Sequence, residues 1–107
     1  MRLKIILNNL LSNAIKFQSP QKSDQYIRVS SHATTEKYVI QVEDNGDGIK
    51  SEHKEKIFEM FFRGTQRSRG SGLGLYIARE AAEKIQGKIE VESEYGKGTL
   101  FHIELRM

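Results

Sequence analysis

The chain has 107 residues, 37% hydrophobic and 29% charged, with nine glycines, one proline and no cysteine. That length suits one compact domain burying roughly two thirds of its unfolded surface, and the missing cysteine excludes disulfides, thiolate zinc sites and thiol nucleophiles. A net charge of +3 is too small for the wide basic face of a nucleic-acid binder, and the longest apolar runs, such as Ile5 to Leu7, are far short of a membrane span.

From Leu3 to Phe17 the apolar residues Leu3, Ile6, Leu7, Leu10, Leu11 and Ala14 recur at the spacing of a helix with one buried face. "QSPQKSD" (Gln18 to Asp24) holds the only proline and reads as a loop. Tyr26 to Ala33 and Lys37 to Asp44, rich in β-branched and aromatic residues and joined by "TTE", predict a hairpin. Ser51 then caps a predicted helix running to about Phe62. After an arginine- and glycine-rich segment, Leu73, Ile77, Ala81 and Ile85 predict a helix over Leu73 to Gln86, with Gly87 as its stop. Lys88 to Glu94 and Thr99 to Arg106 alternate as strands of a second hairpin around "YGKG". The order argues for an α+β two-layer sandwich, with helices on one face of a mixed, largely antiparallel sheet. No internal repeat or domain boundary interrupts residues 1–107, which read as a single domain.

Four segments carry chemistry. Asn9, Asn13 and Lys16 stay within roughly 60° of one line along the first helix, at the edge of its apolar stripe. They suit either an exposed polar face or an amide metal ligand with a lysine for phosphate. "DNGDG" (Asp44 to Gly48) reads as a tight turn, or as an acid at a strand end with glycines that admit a flat ligand. An EF-hand is dropped, because glycines replace ligands that such a loop needs. In "IFEMFFR", Phe58 with Phe61 and Phe62 forms an apolar stripe that serves packing and anchors the following loop. "GSGLGL" (Gly70 to Leu75) has neither a P-loop nor a Rossmann context, yet glycines opening a helix offer free N–H groups to phosphate. Arg63, Arg67 and Arg69 beside it lie within seven residues without an acid; setting them aside leaves 14 Lys and Arg against 14 Asp and Glu. Such a cluster suits a compact anion or a solvated loop.

In order and spacing these segments resemble the catalytic, ATP-binding domain of sensor histidine kinases, within the GHKL (Bergerat-fold) ATPase superfamily. "NNLLSNAIKF" is similar to the asparagine box, "DNGDGI" to the first glycine box, "IFEMFFR" to the phenylalanine box, "GSGLGL" to the second glycine box, and "YGKGTLFHIEL" to the closing hairpin. The resemblance covers Leu3 to Leu105 and implies an α/β sandwich with ATP between helices and a mobile lid over about residues 62–72. It implies that Asn13 coordinates Mg²⁺ with Asn9 in support, Lys16 reaches phosphate, and Phe17 lies against the adenine. Asp44 would accept from the adenine amino group, Thr99 would hold water or adenine beside it, and Gly46, Gly48 and Ile49 would shape that pocket. Gly70, Gly72 and Gly74, with Leu73 and Leu75, would cradle the phosphates, Phe58 would complete the nucleotide site, and Arg63 would meet the γ-phosphate. The implied catalytic set is Asn9, Lys16 and Arg63.

Hydrolysing members of the superfamily, the gyrase- and MutL-like proteins, carry a glutamate base four residues before the magnesium asparagine, where this chain has Asn9. An amide cannot take a proton from water, so the resemblance implies ATP held for transfer of the γ-phosphoryl group to an external acceptor. The implied partners are a histidine-bearing dimerisation domain of the same or a companion kinase chain and a downstream response regulator. Neither nucleic acid nor direct membrane contact is expected, and the implied location is cytoplasmic. Two other readings remain, a nucleotide-dependent binding module and a serine kinase of the anti-sigma-factor type. The chain starts at the first box helix, without the strand that usually precedes it in the family. His32, His53 and His102 lack the acceptor motif and are expected to be structural or exposed.

Overall fold

The structure, a computed structural model, describes residues 2–16, 18, 23–59 and 74–106. The first apolar stripe becomes helix α1 (Arg2–Lys16), with Ile6, Leu10 and Ala14 fully buried against the sheet and the second helix. Two hairpins follow the predicted pattern: β1 (Ile27–Ala33) with β2 (Lys37–Asp44), and β3 (Lys88–Glu94) with β4 (Gly98–Arg106). They join through β2 and β4 into a four-stranded sheet of order β1-β2-β4-β3. All three pairings are antiparallel, in keeping with the largely antiparallel sheet expected from the sequence. The long connection after β2 leads to β3 at the far edge, and the tight hairpin returns β4 beside β2 in the opposite sense. Among the described residues β1 is an edge strand, and its Val29 remains 51% exposed although its cross-strand partner Val42 is buried.

Helix α2 (Gly74–Lys84) packs on α1. Its buried face is Ala78, Ala81 and Ala82, whereas Ile77 is 40% exposed. Of the apolar stripe expected through Leu73, Ile77, Ala81 and Ile85, Ala81 is buried and Ile85 packs against the core, Ile77 lies outside it, and Leu73 is outside the described residues. Small alanine side chains let the helix backbone lie close to its neighbours, and the bulkier Ile77 is left outside. The helix also ends differently from the expectation. Gln86, not Gly87, takes the left-handed conformation (φ 59°), with Gln86 N–H donating to Glu83 O at 3.1 Å and Gly87 N–H to Ala82 O at 2.8 Å. This is a Schellman end, and Gly87 serves it by close approach: a Cβ there would lie 2.7 Å from Glu104 O and from a Leu105 methyl.

The helix predicted from Ser51 is a 3₁₀ turn over Ser51–His53 followed by further turns to Glu59. Its bonds run from each N–H to the carbonyl three residues back, as in His53 N–H to Lys50 O and Lys56 N–H to His53 O, both 2.9 Å. Residues 51–56 ("SEHKEK") are polar all round, so no apolar stripe rewards a longer α-helix, and Ser51 makes no cap because Lys50 occupies that position. Ile57 and Phe58 then dive into the core, where Phe58 meets Phe101 edge-to-face with centroids 6.3 Å apart.

On the outer face of the sheet, Lys37 and Lys88 clamp Glu104 at 3.2 Å and 3.1 Å. Hydrogen bonds from Lys88 and then Lys37 hold the Glu104 carboxyl below its ordinary value of 4.5, and bonding to Glu104 and then Glu90 raises Lys88 above 10.5. The Glu104 contribution is present above pH 4.5 and is lost as pH falls through its lowered folded value. That of Lys88 is present below pH 10.5 and is lost as pH rises through its raised folded value. The stability difference between wild type and Glu104→Gln is accordingly expected to be flat across the neutral range and to shrink in strong acid and strong base, as read by urea midpoints. Glycine substitutions give a second comparison. Gly98 has φ 141° and a Cβ there would strike Asp44 O, whereas Gly96 has φ 90° with nothing within 4 Å. Gly96→Ala should cost about 1 kcal/mol from backbone strain alone, and Gly98→Ala about 3 kcal/mol or more, in the same denaturation assay.

Candidate functional site

Asp44 is the last residue of β2 and stands directly opposite Thr99, the second residue of β4. Both are polar yet buried, at 6% and 7% exposure, among otherwise apolar neighbours. A buried carboxylate is costly unless hydrogen-bonded, and here Gly46 N–H donates to Asp44 Oδ1 at 2.8 Å. The same bond turns the chain off the strand end, as an Asp side chain does in an Asx turn.

The loop that follows is clasped to the β3–β4 turn. Gly96 N–H donates to Asp47 O at 2.7 Å, and Ile49 N–H donates to Ser93 Oγ at 2.8 Å. Gly48 (φ 75°) lies so close to β3 that a Cβ would collide with the Glu94 carbonyl. The Lys50 ammonium lies 5.3 Å from the centre of the Tyr95 ring. On the other side, Asn45 Nδ2 donates to Asp24 O at 2.7 Å while its Oδ1 accepts from Tyr26 N–H at 2.9 Å, which fixes the entry into β1. Asp44, Gly46, Gly48, Ile49 and Thr99 are thus brought together, as the sequence reading requires. Asn45, Ser93 and Gly98 were not anticipated. Each makes a contact far away in the chain, Asn45 with Asp24 and Tyr26, Ser93 with Ile49, and Gly98 with the Asp44 carbonyl.

A second group forms where the helices meet. Asn9 Nδ2 donates to Ile5 O at 2.8 Å, and its Oδ1 faces the start of α2, 3.2 Å from where a Gly74 Cβ would stand. Glycine at that position therefore lets the α2 N-terminus, with its unpaired N–H groups, reach the polar row of α1. Asn13, one turn on, is half-buried and makes no hydrogen bond to a described residue, while Asn8 is exposed. Lys16 is exposed at the end of the row. Leu75 packs against the core from the first turn of α2, and so does Ile49 from the loop after β2. Phe58 lies within the core, with the Arg79 guanidinium 5.8 Å from its ring centre. Phe17, Arg63, Gly70, Gly72, Leu73, and the lid expected over about residues 62–72, with Phe61, Phe62, Arg67 and Arg69, lie outside the described residues.

Among the described residues no three His, Cys, Asp or Glu side chains group as a metal site. Asn13 offers an amide oxygen on α1, a neutral hard ligand of the kind that Mg²⁺ accepts when phosphates and waters supply the rest of its shell. A half-buried amide with no hydrogen bond to a described residue, one turn from the Asn9 that faces the start of α2, fits a magnesium-bridged polyphosphate.

The family model for histidine kinase-, DNA gyrase B- and HSP90-like ATPases matches residues 1–107. The chain belongs to this family. It is 38% identical over 110 residues to the sensor histidine kinase AruS of Pseudomonas aeruginosa, covering 98% of the chain and 11% of that protein. It is also 38% identical over 104 residues to a probable C4-dicarboxylate sensor kinase of Halalkalibacterium halodurans, covering 96% of the chain and 19% of that protein. The chain thus spans a small part of the curated relatives it matches. Among solved structures, the mycobacterial sensor histidine kinase MprB superposes with a TM-score of 0.84 at 28% identity, covering 98% of the chain and 72% of that one. Full-length ShkA in complex with AMPPNP superposes with a TM-score of 0.82 at 30% identity, covering 97% of the chain and 21% of that one. The two-layer fold is that of histidine kinase ATPase domains. Among the described residues no helix of the chain is long and apolar enough to cross a membrane.

Proposed function

We propose that the chain is the ATP-binding catalytic domain of a two-component sensor histidine kinase. It binds ATP with Mg²⁺ and presents the γ-phosphoryl group to a histidine on a separate dimerisation domain, of the same or a companion kinase chain. A response regulator then receives the group. The observation that carries this reading is the side chain at position 9. Asn9 is held as an amide between Ile5 O and the start of α2, where hydrolysing members of the superfamily carry a glutamate. Without a base, water at this point is not activated, and the bound nucleotide is kept for another acceptor.

Base recognition falls to the clasped strand ends. Asp44 accepts from the adenine amino group, Thr99 holds adenine or a water beside it, and Gly46, Gly48 and Ile49 give a rigid floor, with Phe17 against the ring. Phosphate recognition falls to the helices. Asn13 holds Mg²⁺, Lys16 reaches phosphate, Gly70, Gly72 and Gly74 with Leu73 and Leu75 line the phosphate path, and Arg63 meets the γ-phosphate. Phe58 anchors the segment that leads to the lid. The metal, when bound, neutralises phosphate charge. Every other contribution of the chain is positioning and electrostatics, which is what phosphoryl transfer needs from a protein. The domain works in the cytoplasm, without membrane or nucleic-acid contact of its own.

Incubating the chain with labelled ATP and a panel of histidine-bearing helical hairpins tests the transfer. Label on a hairpin that survives base and is lost in acid is expected, and no label on any hairpin would overturn the reading. Asn13→Ala should weaken ATP binding about tenfold with Mg²⁺ and by no more than about twofold with EDTA; equal losses in calorimetry would remove Asn13 from the metal. Because guanine carries a carbonyl where adenine has its amino group, ATP should bind at least about tenfold more tightly than GTP, a difference of ~1.4 kcal/mol. Equal affinities would sink the assignment of Asp44.

A further inference from the structure

Ser93 lies half-buried in β3, directly across from Thr99 and on the same face of the sheet. Its Oγ has three close partners: Ile49 N–H at 2.8 Å, Gly98 O at 2.7 Å and Thr99 Oγ1 at 3.0 Å. A hydroxyl has one proton and two lone pairs. The Gly98 carbonyl can only accept, so it takes the Ser93 proton. The Ile49 amide can only donate, so it fills one lone pair. The remaining lone pair is left for Thr99, which must supply its own proton to Ser93. The alternative leaves two oxygens 2.7 Å apart without a hydrogen between them, a repulsive contact in a sheltered place.

This assignment has a consequence for the neighbouring acid. With its proton committed to Ser93, Thr99 Oγ1 can offer only lone pairs to any further partner. Thr99 faces Asp44 across the β2–β4 ladder, and an ionised carboxylate is likewise acceptor-only. Two buried acceptors therefore stand side by side at the strand ends. We infer that Ser93 is a positioning residue that fixes the Thr99 hydroxyl as an acceptor, so that Thr99 and Asp44 together select a purine bearing an exocyclic amino group over one bearing an oxygen there. The inference rests on the nucleotide-binding reading above and adds to it a residue that touches no nucleotide. An amino group presents two hydrogens to two acceptors; an oxygen presents lone pairs to lone pairs, and a buried polar group left unpaired in this way costs affinity. Ser93 acts at the same time on the pocket floor, because the same hydroxyl holds the Ile49 amide.

The test is calorimetric titration of the 107-residue chain with ATP and with 6-methoxypurine riboside triphosphate, whose ring nitrogen beside the substituent is unprotonated, as in adenine. The wild type is expected to prefer ATP by at least about tenfold. Ser93→Ala frees the Thr99 proton, so that Thr99 can rotate to donate to the methoxy oxygen, and the preference should fall by about tenfold. Ser93→Thr keeps the hydroxyl and should restore the wild-type ratio to within about twofold. The ratio is the decisive quantity, since a merely structural loss weakens both nucleotides alike. A Ser93→Ala chain that loses affinity for both with the ratio intact overturns the inference alone, and equal binding of the two by the wild type overturns it together with the assignment of Asp44. If Ser93→Ala does not fold by circular dichroism, Ser93→Cys, a weak donor and acceptor of similar size, should shift the ratio in the same direction, and an unshifted ratio overturns the inference. A wild type that binds no ATP overturns the nucleotide reading itself.

Discussion

The site depends on one close backbone approach, between the loop leaving β2 and the turn joining β3 to β4. Glycine at 48 and 98 removes the side chains that would keep the two segments apart, and each would place a Cβ against a carbonyl of the other segment. Once they touch, the Gly96 to Asp47 and Ile49 to Ser93 bonds lock them. The buried Asp44 and Thr99 each have a hydrogen-bond partner beside this contact, Gly46 N–H for the carboxylate and Ser93 Oγ for the hydroxyl, as buried polar groups require. A loop held at these points of backbone and side chain is already ordered, and a preordered loop lowers the entropic cost of binding a ligand.

The helical side is built on a different principle. α1 and α2 pack on each other, and the face that α2 buries is made of the small residues Ala78, Ala81 and Ala82, in one core cluster with Ile6 and Leu10 of α1. Asn9 and Gly74 come close where the two helices meet. Oxygen donors on one helix and free N–H groups at the start of the other make a mixed surface, suited to a metal-bridged anion rather than to a bare cation. The group around Asp44 is therefore fixed by sheet and loop hydrogen bonds, and the group around Asn9 by the meeting of the two helices.

Much of this was legible in the sequence, for a physical reason. α1 and the strands β2, β3 and β4 each turn one face to the core, and one-sided burial imprints a period of 3.6 or 2 on the residues. Asp44, Gly46 and Gly48 stand out in the sequence as an acid at a strand end followed by glycines, whereas only the family resemblance points to Thr99. The segment after Lys50 was misread because a serine cap and good helix formers suggested a helix, while the polar residues 51–56 had no face to bury. At the end of α2 the left-handed residue is Gln86, since the glycine beside it is required by its contact with β4 rather than by its own dihedral angles. Ser93, Asn45 and Gly98 escaped notice because their roles are defined by partners 44 and 21 residues away for the first two, and by the Asp44 carbonyl for the third.

The sheet order has a consequence for how the protein assembles. β1 with β2 and β3 with β4 are local hairpins, each closed by a short turn, and the β2–β4 ladder is the non-local seam that unites them. Asp44 and Thr99 face each other across that seam. Closing a long loop is the slow, entropically costly event in forming such a sheet, and Asp44 and Thr99 meet only when the two hairpins join. A ligand bridging the two strand ends spans both halves of the sheet and holds the seam shut, and its binding energy adds to the global stability of the domain rather than to that of a single loop.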